Sequence, residues 1–190
     1  STAALVAMVS SIATAAFAAE YNVKDGSVDI LAEGGKQYIT QWKDESKSTY
    51  VTDDKGEIKK RQDDDITLTT KNKDTGETET TSNTVTITAE KDNTANVTLQ
   101  DVNIQKDEWD NKSAAMTIKG EGDTEIELNG DNTLISGHYH AGLEKADDVS
   151  HGSLTIKDDL NNDNRTEKEK DESGYSTGGD TGTLIAAGGY

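Results

Sequence analysis

Residues 96–104 read NVTLQDVNI, and residues 126–134 read IELNGDNTL. Apolar and polar residues alternate in both stretches, as they do in a short β-strand that buries one of its faces. In the second stretch the alternation is interrupted by Asn129-Gly130-Asp131-Asn132, whose residues all favour tight turns. The two stretches predict a fold of short strands that are joined by turns.

Apolar strand residues recur at a spacing of about thirty positions, which is the period of a repeat fold. The spacings are 31, 29, 28 and 30 positions, measured along Ile66, Val97, Ile126, Leu154 and Leu184. Such a period predicts a solenoid, in which each passage of the chain stacks on the one before. We therefore predict an all-β fold, a parallel β-helix over residues 20–190. A β-sandwich is the alternative, although it would normally need longer strands and larger apolar residues.

The composition favours stacked short strands over a large globular core. Only 31% of the residues are hydrophobic and 5% are aromatic, and 37 Asp and Glu against 19 Lys and Arg give a formal net charge of −18. So acidic a surface repels phosphate groups, and we expect no nucleic-acid partner. The chain has no cysteine, which excludes disulfides and thiolate metal sites.

The first nineteen residues have the pattern of a signal peptide. No charge occurs between Ala3 and Ala19, the small-x-small sequence Ala16-Phe17-Ala18 follows the apolar run, and Glu20 is the first acidic residue. We predict a partial, helical signal peptide over residues 1–19, secretion, and no membrane insertion of the mature chain. A transmembrane helix or a buried core helix is the alternative.

Two stretches interrupt the strand pattern, namely residues 43–65 and 157–180. Both are rich in charged residues and poor in apolar ones, so we predict solvated loops that project from the coil. The small-residue segment 186–190 lies in the middle of a repeat with no capping segment after it. We expect the domain to be truncated at this end.

Five segments between residues 83 and 189 occur in an order that resembles a known family. They are residues 96–104, 126–134, 140–144 (HAGLE), 152–156 (GSLTI) and 182–189 (GTLIAAGG). The chain resembles the bacterial carbohydrate-binding domain-containing surface proteins. The resemblance implies a right-handed parallel β-helix like that of pectate lyases, polysaccharide binding, bound calcium in many cases, and a place on the bacterial cell surface. The acidic insertions depart from the compact turns of that family.

One acidic segment has the spacing of a calcium loop. Asp159, Asn161 and Asp163 offer oxygen ligands at alternate positions. Asn164 stands where an EF-hand loop has glycine, and Lys170 stands where it has glutamate, so a complete EF-hand is excluded. These three residues are the candidate Ca²⁺ ligands, and a solvated acidic turn is the preferred interpretation of any single acidic segment.

His138 and His140 would share one face of a strand and could bind Zn²⁺ if a third ligand such as His151 came near. Ordinary turn histidines are the preferred interpretation, because His140 falls in a predicted turn.

Aromatic residues are few, so those in polar surroundings are candidates for sugar binding. Trp109 lies between acidic residues, Tyr139 lies in a predicted turn, and Trp42 precedes the first charged insertion. A flat ring can pack against the C–H face of a pyranose, and we predict carbohydrate binding at these three residues. The alternative is that each ring covers the side or the end of the solenoid.

The sequence favours a binding protein over an enzyme. A polysaccharide lyase of this shape needs a basic residue beside its calcium, and the two arginines, Arg61 and Arg165, lie in the charged insertions rather than on a strand. We expect a secreted, monomeric, non-catalytic protein that binds a polysaccharide or a cell-surface glycan, with calcium as its cofactor. The alternatives are a structural surface stalk or adhesin and a calcium-dependent pectin-active lyase.

Overall fold

The computed structural model describes residues 19–110, 112–146, 152–158 and 182–189. These residues form β-strands and one 3-10 turn at Val23–Asp25, with no α-helix among them. No helix in this part of the chain is long and apolar enough to cross a bilayer. The helix predicted for the signal peptide lies outside the described residues, apart from Ala19 at the start of the first strand. The all-β class is confirmed.

The strands of the described residues occur along the chain in the order β1 (Ala19–Asn22), β2 (Ser27–Glu33), β3 (Lys36–Trp42), β4 (Thr52–Asp53), β5 (Gly56–Glu57), β6 (Arg61–Gln62), β7 (Ile66–Thr69), β8 (Val85–Ala89), β9 (Thr94–Gln100), β10 (Asn103–Gln105), β11 (Met116–Lys119), β12 (Asp123–Asn129), β13 (Asp131–His138), β14 (Leu143–Lys145), β15 (Leu154–Lys157) and β16 (Thr183–Gly189).

Three sheets hold most of these strands. The first sheet has the order β1-β7-β9-β12-β15, the second has the order β10-β13-β16, and the third has the order β14-β11-β8-β2-β3-β6. Every pair in the first two sheets is parallel, in contrast to the antiparallel pairs of a β-sandwich. The third sheet is mixed, because β3 pairs with β2 and β6 in antiparallel fashion.

Six of the nine parallel strand pairs among the described residues join residues 27 to 31 positions apart. The pairs β1–β7, β2–β8 and β13–β16 join residues 47 to 57 positions apart, because a charged insertion lies between their strands. In the first sheet Ile66 lies opposite Val97, Val97 opposite Ile126, and Ile126 opposite Ile156. The chain visits the three sheets in the same order each time. It passes from the first to the second to the third sheet through β9, β10 and β11, and again through β12, β13 and β14. We call each such passage of the chain a repeat. Successive repeats therefore lie side by side in a fixed register.

The core consists of columns of aliphatic side chains that run across the repeats. Leu68, Leu99 and Leu128 form one column of the first sheet, and all three are buried. In the third sheet Val28, Val85 and Met116 are buried neighbours in the same way. Each buried side chain of this size contributes about 1.5–3 kcal/mol. The columns explain how a chain with little apolar material forms a continuous core.

Two residues of the predicted thirty-residue series are placed differently from the prediction. Leu154 lies opposite Thr124, and Ile156 takes the place opposite Ile126. Leu184 lies on β16 of the second sheet, opposite Asn132, and not on the first sheet at all. Leu154 misses the place opposite Ile126 because β12 and β15 pair at an offset of 30 positions rather than 28. Leu184 falls on another sheet because the insertion at residues 157–180 lengthens the chain before it.

The first charged insertion is also different from the predicted solvated loop. Its residues include the β4–β5 hairpin and β6, and the apolar side chains of Val51 and Ile58 are buried in the main core. The charged residues around them face the solvent, while these two side chains pack inward. Part of residues 43–65 therefore covers the core beside β1 and β3. Of the second insertion, only Lys157 and Asp158 are among the described residues.

A buried asparagine ties three repeats together where the chain passes from the first sheet to the second. Asn132 is 1% exposed. Its side-chain oxygen accepts a hydrogen bond from the backbone N–H of Val102 at 3.0 Å, and its amide nitrogen donates to the carbonyl of Thr183 at 3.2 Å. The amide side chain of Asn132 thus provides hydrogen bonds for backbone groups that lie between the two sheets.

Tyr21 supplies a pH-dependent element of the fold. Its buried hydroxyl donates a hydrogen bond to Asp63 Oδ2 at 2.7 Å. Burial, together with this bond to a carboxylate, raises the pKa of Tyr21 above its usual value. Because the folded state resists deprotonation, the contribution of Tyr21 to stability is present below the ordinary tyrosine pKa of about 10 and is lost as the pH rises above it.

We predict that Tyr21→Phe lowers the free energy of unfolding by about 1 kcal/mol at neutral pH, because Asp63 loses its donor. We also predict that the variant loses less stability than the parent between about pH 9 and pH 11. Urea unfolding across this pH range measures both effects. Tyr139→Phe is the matched control, since the Tyr139 side chain is exposed. If the parent and Tyr21→Phe lose the same unfolding free energy between about pH 9 and pH 11, Tyr21 is not the source of the pH dependence.

Candidate functional site

The two loops that carry the predicted aromatic residues meet in the structure. The backbone N–H of His138 donates to the carbonyl of Glu108 at 3.0 Å, and the N–H of Lys106 donates to the carbonyl of Ile135 at 2.9 Å. Gly137 permits this approach, because a Cβ atom there would clash with the carbonyl oxygen of Asp110. The loop after β10 is thereby held against the end of β13.

A tight turn at residues 107–110 presents Trp109. The N–H of Asp110 donates to the Asp107 carbonyl at 2.9 Å, and the Trp109 N–H donates to Asp107 Oδ1 at 2.9 Å. Lys106, whose side chain is 8% exposed, forms an ion pair with Asp110 at 2.8 Å. The hydrogen bond from Lys106 is the main reason that the pKa of Asp110 lies below its ordinary value. These contacts fix the loop on both sides of the tryptophan.

Trp109, His138 and Tyr139 form a group that we call the aromatic cluster. The rings of Trp109 and His138 are stacked, with centroids 5.0 Å apart and an interplanar angle of 24°. The centroids of His138 and Tyr139 are 5.8 Å apart. Trp109 is 76% exposed and Tyr139 is 87% exposed. Two large rings therefore face the solvent on neighbouring repeats, with an imidazole between them.

The backbone of Tyr139 is in the left-handed region, with φ at +69°. This conformation is uncommon for a bulky side chain and costs about 1–2 kcal/mol. The Tyr139 ring gains no burial in return, because it is the most exposed of the large apolar side chains described. Strain of this kind is found more often at functional sites than elsewhere.

His138 is held by its ring contacts rather than by hydrogen bonds from its side chain. Its Nε2 atom is buried, has no hydrogen-bond partner among the described residues, and lies 3.9 Å from Glu108 Oε1. A buried nitrogen without a partner is costly, so the stacking with Trp109 must offset that cost. The second histidine of the turn, His140, places Nδ1 at 2.9 Å from Glu144 Oε2. His151 lies outside the described residues.

Trp42, the third predicted binding residue, is not part of the aromatic cluster. Its indole N–H donates to Asp29 Oδ2 at 2.7 Å, and its ring packs against Tyr50 with centroids 4.6 Å apart. An ion pair between Lys112 and Glu45, whose charged atoms are 3.9 Å apart, connects the loops of the two regions. The structure thus unites Trp109 with Tyr139 and separates Trp42 from them.

The predicted calcium ligands Asp159, Asn161 and Asp163 lie outside the described residues. Within the part of the chain that is described, no group of three or more His, Asp or Glu side chains is arranged to hold a metal ion.

His138 and Glu108 belong to the site, although the sequence analysis considered His138 only as a zinc ligand or a turn histidine and did not consider Glu108. The signal that could have found His138 is the repeat itself. Trp109 and His138 are 29 positions apart, which is one period of the strand pattern. Residues one period apart lie side by side on neighbouring repeats, so a ring at one of these positions is expected to stack on a ring at the other.

Comparisons of the chain with protein-family models, with curated proteins and with solved structures gave no match. The chemistry of this surface is therefore inferred from the arrangement of its own side chains.

We predict that His138→Phe retains or raises the thermal unfolding midpoint, because phenylalanine keeps a stacking ring and removes the unpaired buried nitrogen. We predict that His138→Ala lowers the free energy of unfolding by about 1 kcal/mol or more, because Trp109 loses its stacking partner. Thermal unfolding of the parent and of both variants measures these differences in stability. If phenylalanine destabilises the protein as much as alanine does, the imidazole nitrogen has a role that stacking does not explain.

Proposed function

We propose that this chain is a secreted or cell-surface protein that binds polysaccharide without cleaving it, through the aromatic cluster on a right-handed parallel β-helix. The observation that carries the proposal is the pair of solvent-exposed rings, Trp109 and Tyr139, on either side of His138. Rings that stabilise a core are buried, whereas these two rings are exposed to the solvent.

The β-helix part of the proposal rests on the pairing of the strands. Parallel partners lie 29 to 31 positions apart over several repeats, as in the series from Ile66 through Val97 to Ile126 and Ile156. The second sheet continues the same order, since Ile104 lies opposite Leu134 and Leu134 opposite Ala186. A chain that coils through three sheets in turn produces this pattern.

The binding part rests on the chemistry of the surface. The axial C–H groups of a pyranose carry a small positive charge and pack on the electron-rich face of an aromatic ring. Polar groups beside the rings orient a sugar through hydrogen bonds to its hydroxyls. In the aromatic cluster those groups are the Glu108 carboxylate and the Tyr139 hydroxyl. An open surface of this kind suits a polymer that passes over it better than a small molecule that must be enclosed.

The calcium dependence and the secretion that the sequence predicts remain predictions. The candidate ligands Asp159, Asn161 and Asp163 follow β15, which is the last strand of the first sheet. In this proposal calcium bridges carboxylates of the solenoid, and its removal weakens glycan binding.

We predict that Trp109→Ala lowers glycan affinity at least about tenfold, while the free energy of unfolding falls by only about 1 kcal/mol through the lost stacking on His138, so that the variant stays folded. A glycan array identifies the ligand, and isothermal titration calorimetry measures its affinity for the parent and for the variant. Trp42→Phe is the matched control, since it alters the other tryptophan and is expected to leave affinity unchanged.

The same titration in EDTA tests the predicted calcium dependence, and loss of affinity on chelation would support it. Unchanged affinity in Trp109→Ala would show that the site has been placed wrongly. Failure of the parent to bind any glycan, with and without calcium, would favour the structural stalk over the binding protein.

A further inference from the structure

Two exposed carboxylates lie close to the aromatic cluster. Glu108 precedes Trp109 directly, its side chain is 72% exposed, and its Oε1 atom lies 3.9 Å from the imidazole on which Trp109 stacks. Asp107 is exposed as well, and one of its oxygens accepts the backbone N–H of Trp109. Two carboxylates thus lie in the turn that carries Trp109, one near the imidazole and one bonded to the backbone of the tryptophan.

The lysines nearby do not neutralise these carboxylates. Lys106 is almost buried, and its ammonium group is paired with Asp110. The ammonium group of Lys112 lies towards Glu45 on another loop, at 3.9 Å. Residues 106–110 together carry three acidic side chains and one lysine, within a chain whose formal net charge is −18. The surface around the rings is therefore negative.

We propose, building on the proposed function, that the aromatic cluster selects a cationic polysaccharide made of sugars with free amino groups, such as a glucosamine polymer. The face of an indole ring attracts an ammonium group through its quadrupole, and a carboxylate beside the ring adds a charge of the matching sign. A neutral sugar would use the ring alone. A uronate polymer would meet repulsion from Glu108 and Asp107.

The open face of Trp109 favours an amino sugar over a cationic peptide. One face of the ring stacks on His138, and the side chain is 76% exposed, so that the other face is accessible to a flat sugar ring. In a glucosamine unit the ammonium group is attached directly to the ring, so one unit covers the tryptophan face and also reaches the adjacent carboxylate. A lysine side chain brings the charge on a flexible stem and leaves the exposed Tyr139 ring without a flat partner.

Calorimetric titrations with four hexamers test this proposal at about pH 5.5 and low ionic strength, where glucosamine amino groups are charged. The probes are hexamers of glucosamine, N-acetylglucosamine, galacturonate and lysine. We expect the glucosamine hexamer to bind at least about tenfold more tightly than the N-acetylated one and to weaken as salt is added. Trp109→Ala should abolish the binding of the glucosamine hexamer.

Glu108→Gln should reduce the preference for glucosamine over N-acetylglucosamine at least about threefold. Glu57→Gln is the matched control, because Glu57 is exposed on the β4–β5 hairpin and its replacement changes the net charge by the same amount. Equal effects of the two variants would overturn the proposal, since the net charge alone would then explain the preference.

The remaining outcomes separate this proposal from the proposed function. If the N-acetylglucosamine or galacturonate hexamer binds as tightly as the glucosamine hexamer, the charge preference is refuted while polysaccharide binding stands. If hexalysine binds as tightly and is equally weakened by Trp109→Ala, the ligand is a cationic peptide and the glycan assignment is refuted. If none of the four probes binds, and the glycan array is also silent, both proposals fail.

Discussion

The fold depends on apolar residues that lie opposite one another in parallel strands about thirty positions apart. Leu99 lies between Leu68 and Leu128 in a column of the core. Each member of such a column is covered by its neighbours on the adjacent strands. A shift of register by one residue would turn the aliphatic side chains outward and the threonines inward. This constraint allows strands of two to eight residues to build a core that is almost entirely aliphatic, with Tyr21 as its one aromatic side chain among the described residues.

The same register creates the candidate site. Trp109 and His138 come onto neighbouring repeats because their separation is close to one repeat, which is 30 positions in the second sheet, and Gly137 lets the two loops approach closely. The site is therefore attached to a rigid stack rather than to a long free loop, with Lys106 and Asp110 fixing the turn. Rigid placement favours binding because few side-chain conformations are lost when a ligand arrives.

The sequence predicted the strands well, since alternation and turn residues report local preferences. It also predicted the exposure of Trp109 from its acidic neighbours and that of Tyr139 from its place in a turn. It failed for Leu184, whose sheet depends on the length of the insertion before it. It failed also for residues 43–65, where Val51 and Ile58 are buried although charged residues dominate the segment. The pairing of the Gln37 amide with the backbone of Asn96 at 2.7 Å and 2.9 Å is a long-range contact that no local pattern reveals.

The parallel register between repeats is tested most directly by cross-linking pairs of introduced cysteines, since the chain has none of its own. Asn96 lies opposite Glu125, whereas Thr98 is displaced by two residues and lies opposite Glu127. Partners in neighbouring strands are about 4.8 Å apart, within reach of a disulfide, and the displaced pair is about 8 Å apart, beyond it. We predict that Asn96→Cys with Glu125→Cys forms a disulfide under mild oxidation and that Thr98→Cys with Glu125→Cys does not. Equal cross-linking of both pairs, or cross-linking of the displaced pair alone, would contradict this register.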